Sequence, residues 1–228
     1  MRFNRLENMI GPKNMSKLSS VKIIVFGLGG VGSFTAEALA RCGIINLTVI
    51  DYDIVDITNI NRQLIALDST VGLKKTEVFK KRAIDINPMI KIKALDIRVT
   101  KENIESILFD RYDYVIDCID DVEAKIAIIS TANKHKTKLI SSMGFANKSK
   151  PEMIKITKMN QTKTCPLAKS LRKKLKLRGC SLDFEVVYSE EEPIITLNRN
   201  VLGSNSYTPS CAGLIIASRV INNLLEGE

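Results

Sequence analysis

Val21-Lys-Ile-Ile-Val-Phe-Gly27-Leu-Gly29-Gly30-Val-Gly32-Ser33 is the stretch from which the fold is read. After Lys22 it runs apolar and uncharged, the pattern of a strand buried on both faces, and it stops at four glycines before a helical pattern opens. A strand, a glycine turn and a helix build a phosphate cradle. Glycine lets the backbone approach a ligand, and the first N–H groups of the helix have no partners of their own. Gly27, Gly29 and Gly32 hold the spacing of a nucleotide fingerprint, with Gly30 in the same turn. Asp51 follows at the end of a second strand, Leu47 to Ile50, where an acid accepts bonds from ribose hydroxyls. The same spacing serves NAD, FAD and ATP, so the turn predicts a nucleotide without choosing one.

Outward from the turn, a helix from about Val31 to Cys42 is closed by Gly43, and the next strand delivers Asp51 and Asp53. The loop Ile57-Thr-Asn59-Ile-Asn61-Arg62-Gln63-Leu64 leaves that strand at its carboxyl end, where ligands of doubly wound sheets bind. Arg62 offers a planar fork to phosphate oxygens. Lys75 opens the helix from about Lys74 to Ile86, a position where the helix dipole disfavours a cation unless an anion is near. The strand at Tyr114 ends in Asp117, Asp120 and Asp121, and an aspartate there can hold Mg²⁺ or order a triphosphate. A helix from Val122 to His135 and a strand from Lys138 to Ser141 continue the series. The expected fold is α/β: a Rossmann-like, doubly wound, mainly parallel sheet with a basic C-terminal extension.

At 228 residues the chain can bury one substantial core. No apolar run approaches a membrane span, and the opening Met1-Arg-Phe-Asn-Arg-Leu-Glu has no apolar signal core, so a cytoplasmic protein with no membrane partner is expected. The five cysteines are odd in number and none lies in a C-x-x-C pair, which argues against a disulfide framework or a tetrathiolate zinc site. The charge of +9 is concentrated: Lys148 to Arg178 holds eleven Lys or Arg against the single acid Glu152. Within it, Pro166 to Leu177 reads as a helix with Leu167, Leu171 and Leu175 on one side and cations elsewhere. Such a lopsided block fits a polyanion, and Lys148, Lys169, Arg172, Lys173 and Lys174 are the expected nucleic-acid contacts. Residues 1–147 read as a nucleotide-binding core with an N-terminal arm. Residues 148–228 read as a basic segment followed by a packing or dimer helix, Cys211 to Leu225.

The Gly27-x-Gly29-Gly30-x-Gly32 turn, Asp51, Asn61-Arg62-Gln63, Lys75 and Asp117-Cys-Ile-Asp120 together resemble the adenylating family of ubiquitin-activating enzymes and bacterial sulfur-carrier activators. The resemblance implies an ATP site built from the four glycines, Asp51, Asp53, Asn59, Arg62, Gln63, Lys75 and Asp120, with Mg²⁺ on Asp120. It also implies that Arg5 reaches the nucleotide of a partner subunit in a homodimer.

Nearly the whole chain is similar to the subfamily of tRNA threonylcarbamoyladenosine dehydratases. The matching stretches are Arg2-Phe-Asn-Arg5, Asn59-Ile-Asn61-Arg62-Gln63, Ser141-Ser-Met-Gly144-x-Ala-Asn147-Lys148, Pro166-Leu-Ala-Lys169-x-x-Arg172 and Pro209-Ser-x-Ala-Gly213. That likeness implies ATP-dependent cyclisation of the threonylcarbamoyl group through a carboxyl adenylate, with Arg62, Lys75, Asp120 and Arg5 as catalytic residues, tRNA as partner and a sulfur-transfer protein as a further partner. The alternative it leaves is an adenylyltransferase for a ubiquitin-like sulfur carrier. In that case Cys165, Cys180 or Cys211, if exposed, would carry a thioester.

Overall fold

The computed structural model describes residues 2–198 and 201–226. Seven strands form one sheet in the order β3-β2-β1-β4-β5-β7-β6. They are β1 (Lys22–Phe26), β2 (Asn46–Ile50), β3 (Lys91–Leu95), β4 (Tyr114–Asp117), β5 (Leu139–Ser142), β6 (Ile154–Lys158) and β7 (Glu185–Ser189). All neighbouring pairs are parallel except the edge strand β6, which runs antiparallel to β7. The inner parallel strands β1, β2, β4 and β5 are uncharged through their centres because helices cover both faces, whereas the edge strand β3 alternates exposed Lys91 and Lys93 with half-buried Ile92 and Ala94.

The helices are α1 (Asn4–Ile10), α2 (Pro12–Ser20), α3 (Gly32–Arg41), α4 (Lys75–Ile86), α5 (Ile104–Leu108), α6 (Val122–Lys134), α7 (Pro166–Leu177) and α8 (Thr208–Leu225). Strand parity assigns them to two cores. Ile23 and Val25 pack with Leu18 of α2, Leu39 of α3, Phe79 of α4 and Ile216 of α8. Ile24 and Phe26 point the other way, to Ile107 of α5, Ile128 of α6 and Leu171 of α7. Residues of 148–226 supply β6, β7, α7 and α8, so the basic segment is woven into the same sheet and both helix layers.

The N-terminal arm is two helices separated by Gly11, whose φ of +83° turns the chain between them. One expected boundary changes. The last helix begins at Thr208 instead of Cys211, because Pro209 starts its first turn with its φ already set for a helix. Among the described residues no helix is long and apolar enough to cross a membrane.

The chain leaves β1 toward β2 on one side and reaches β4 on the other, so the order reverses between β1 and β4. That switch point opens a crevice at the carboxyl ends of the strands, and the glycine turn lies in it.

Candidate active site

Each glycine of the turn has its own steric reason. Gly27 has φ +87°, and a Cβ there would lie 2.9 Å from the Cys118 carbonyl oxygen. A Cβ on Gly32 would sit 1.8 Å from the Gly27 carbonyl oxygen, so α3 rests directly on the turn. At Gly30 it would press on Pro209 at 3.3 Å. Gly29 differs: a Cβ there would meet nothing nearer than Nε2 of Gln63 at 3.9 Å, an ordinary contact. Val31 gives α3 no side-chain cap, and the Ser33 N–H donates to the Gly29 carbonyl at 3.1 Å, so the glycine turn and the start of the helix form one hydrogen-bonded unit.

Asp51 is buried at the end of β2, where Oδ2 accepts from the Leu28 N–H at 2.6 Å and Oδ1 from the Asp53 N–H at 2.9 Å. Burial raises its carboxyl above the ordinary range, opposed by the charge of Lys75. Lys75, the first residue of α4, is itself buried and donates from Nζ to Asp53 Oδ2 at 2.8 Å. The anion that its helix position requires is thus Asp53.

The loop after β2 is docked on the turn: the Leu64 N–H donates to Ser33 Oγ at 3.3 Å. Gln63 is buried with no hydrogen-bond partner for Oε1, an orphaned polar atom beside Gly29. Arg62 is half-buried and donates from Nη1 to the Thr58 carbonyl (2.8 Å) and Asn61 Oδ1 (3.0 Å). Asn59 is buried as half of a capping box, with Oδ1 accepting from the Asp56 N–H at 3.2 Å, so this side-chain oxygen is engaged within its own loop.

Asp120 stands exposed on the turn after β4 and, among the described residues, has no hydrogen bond or ion pair. Its neighbours are committed. Asp121 caps α6 by accepting from the Glu123 and Ala124 N–H groups, and it pairs with Arg98, whose guanidinium lies over the Tyr52 ring. Asp117 is fully buried and paired with Lys125, so it is not available to a metal or phosphate. No cluster of three or more His, Cys, Asp or Glu that could hold a metal occurs among the described residues.

The glycines, Asp51, Asp53, Asn59, Gln63, Lys75 and Asp120 therefore gather at the carboxyl ends of the inner strands, with the Arg62 loop beside them. Arg5 does not. Phe3 packs against Gly43, after the far end of α3, and Arg2 Nη1 donates to the Ile86 carbonyl at the far end of α4 at 3.0 Å. Because α3 starts at the glycine turn and α4 at Lys75, Arg5 lies a helix length, roughly 15 Å, from its own chain's turn.

The expected nucleic-acid residues divide. Lys148 is corrected: it is buried, its Nζ donating to the carbonyls of Ser189 (3.1 Å) and Glu191 (2.8 Å), and burial lowers its pKa. An ammonium enclosed by carbonyls offers nothing to a phosphate outside. Arg172 is half-buried and bonded to the Thr162 carbonyl and hydroxyl, and Lys174 and Arg178 both reach Glu123. Lys169 and Lys173 are exposed on α7, joined by Lys176 one turn on. Cys165 is corrected too, being buried and thus closed to a thioester partner.

The Lys125 ion pair escaped the sequence reading. Its signal was present, a lysine among Ala124, Ile126, Ala127 and Ile128 in the first turns of a helix, where both the apolar face and the dipole argue against a cation.

The chain is 40% identical over 240 aligned residues to a tRNA threonylcarbamoyladenosine dehydratase of Bacillus subtilis, covering 98% of this chain and 94% of that protein. The crystal structure of the Escherichia coli tRNA N6-threonylcarbamoyladenosine dehydratase with AMP superposes with a TM-score of 0.94 at 34% identity, over 99% of this chain and 94% of the other. The same enzyme with ATP gives 0.93 over the same coverage. The ThiF family model matches residues 3–226, and with the glycine cradle, the buried Asp51 and the Lys75 site in place the chain belongs to the ThiF family.

Proposed function

We propose that this protein is an ATP-dependent tRNA threonylcarbamoyladenosine dehydratase, acting in the cytoplasm as a homodimer. The observation that carries the reading is the convergence of Gly29, the orphaned Gln63 Oε1, the Lys75–Asp53 pair and the unpaired Asp120 at the carboxyl ends of the strands, in a chain that matches dehydratases of this specificity almost end to end. The similar enzyme binds ATP, which adenylation consumes, and AMP, which ring closure releases.

The threonyl carboxylate of the substrate attacks the α-phosphorus of ATP, forming an acyl adenylate and releasing pyrophosphate. The neighbouring ureido group then closes on the activated carbonyl, and AMP leaves. In this scheme Asp51 orients the ribose and the uncapped start of α3 receives the phosphates. Lys75 and Arg62 offset charge building on them, Arg62 by exchanging its contacts to Thr58 and Asn61 for phosphate oxygens. Arg5 acts from the second subunit, since its own turn is a helix length away. Asp120, exposed and without a partner among the described residues, is the residue that would hold Mg²⁺. When bound, it would neutralise phosphate charge. Ring closure is intramolecular and needs no cysteine.

The free cations of α7 face the tRNA. Nucleoside mass analysis of tRNA from a strain lacking this gene tests the assignment: the cyclised adenosine is lost and its open form accumulates. Unchanged modification, or pyrophosphate exchange with an unmodified carrier protein and ATP, would replace it with the carrier-activating reading.

A further inference from the structure

Beneath the exposed Asp120 lies a closed polar node with no contact to solvent. Lys125 Nζ donates to Asp117 Oδ2 (2.8 Å), to the Ser142 carbonyl (2.7 Å) and to Ser141 Oγ (3.3 Å). Ser141 Oγ in turn donates to Asp117 Oδ2 at 2.6 Å, and the Ile119 N–H donates to Asp117 Oδ1 at 3.1 Å. Both charged side chains are 0% exposed. Every ammonium proton has an acceptor, and both carboxylate oxygens are used.

This node is an expensive way to fill a core. A buried ion pair usually stabilises no more than apolar side chains of the same volume, and here the cation also sits in the unfavourable first turns of α6. What it gains is position. It joins the end of β4, the end of β5, α6 and the backbone at Ile119, the elements that border the crevice opposite Asp51. Asp120 lies between Ile119, tied to Asp117, and Asp121, tied to the α6 amides. The Cys118 carbonyl oxygen in the same turn would lie 2.9 Å from a Cβ on Gly27, so the Cys118–Asp120 turn runs alongside the glycine bend.

We propose that the buried Lys125–Asp117 pair is the positioning device of the active site, fixing the Cys118–Asp120 turn and the exit of β5 so that Asp120 stands free at a set distance from the bound nucleotide. This rests on the reading of Asp120 as an active-site group. Neither Lys125 nor Asp117 touches substrate; they act through the backbone they hold.

The test compares Lys125→Met, Lys125→Arg and the double variant Asp117→Asn with Lys125→Met, with Asp120→Asn as reference. Steady-state turnover on threonylcarbamoylated tRNA, AMP affinity by titration calorimetry and melting temperature are measured for each. A displacement of about 1 Å costs on the order of a hundredfold in rate, so Lys125→Met should lower kcat by roughly that factor. AMP affinity should change by less than about threefold, because Asp51 and the glycine turn hold the nucleotide without the node. Lys125→Arg, which keeps a charged donor to Asp117, should recover most of the turnover. The double variant, with no buried charge left uncompensated, should regain melting temperature without regaining kcat. If Lys125→Met does not fold, the double variant decides. Near-normal kcat in the folded double variant overturns the proposal and leaves the pair a packing element. If Asp120→Asn itself retains full turnover, the reading of Asp120 fails instead.

Discussion

Replacing Lys169, Lys173 and Lys176 together with glutamine should weaken tRNA binding and flatten its salt dependence. These residues are exposed on one helix at intervals of four and three, hence on one face of α7, within a span of roughly 10 Å. Each ammonium that neutralises a phosphate contributes about 0.9 to the slope of log affinity against log salt concentration. Losing three should make the slope shallower by up to about 2.7, which at 0.1 M salt corresponds to at most a few hundredfold in affinity. Arg172 and Lys174 serve as internal controls. Arg172 is bonded to Thr162 and Lys174 to Glu123, so the variant with both changed to glutamine should alter the slope by less than about 1. Fluorescence anisotropy of labelled tRNA between 50 and 200 mM KCl measures the slopes, with AMP affinity confirming an intact nucleotide site. A slope change below about 0.5 in the triple variant would refute the assignment of this face to RNA.

Other outcomes follow from the same geometry. If Arg5 acts across a dimer, mixing the inactive variants Arg5→Ala and Lys75→Ala should restore about a quarter of wild-type turnover, since random exchange yields half heterodimers with one intact site each. Arg5 acting within its own chain restores none. Gly29→Ala should keep its melting temperature, because its Cβ meets nothing closer than 3.9 Å, yet lose about tenfold in ATP affinity by filling the cradle. Gly32→Ala should lose stability instead, its Cβ falling 1.8 Å from the Gly27 carbonyl oxygen. Calorimetry and thermal melts separate the two effects. Burial would raise the Glu37 carboxyl, but the guanidiniums of Arg82 and Arg41 bring it below its ordinary value. Its contribution is therefore present above the unfolded-state pKa and lost as pH falls through the lower folded value. Glu37→Gln should cost about 1–3 kcal/mol at pH 7, with the difference shrinking in urea melts below pH 4.

The sequence by itself determined the sheet and the phosphate cradle. Strand and helix periodicities are local, and the glycine spacing from Gly27 to Gly32 encodes a turn in which Gly27 and Gly32 leave no room for a Cβ. Asp51 and Lys75 were legible for a similar reason, one by its place at a strand end and the other by its conflict with a helix dipole. Charge counting could not tell which lysines reach solvent. Lys148 and Lys169 are alike in the sequence, and only the carbonyls of Ser189 and Glu191, some forty residues away, enclose the first and leave the second free. The Lys125 node likewise needs β4, β5 and α6 side by side before its partners exist. Arg5 looks adjacent to the fold in the chain but lies on an arm held at the far ends of α3 and α4, away from the glycine turn. Burial and long-range pairing depend on which distant segments meet, and that is decided only when the sheet closes between its two helix layers.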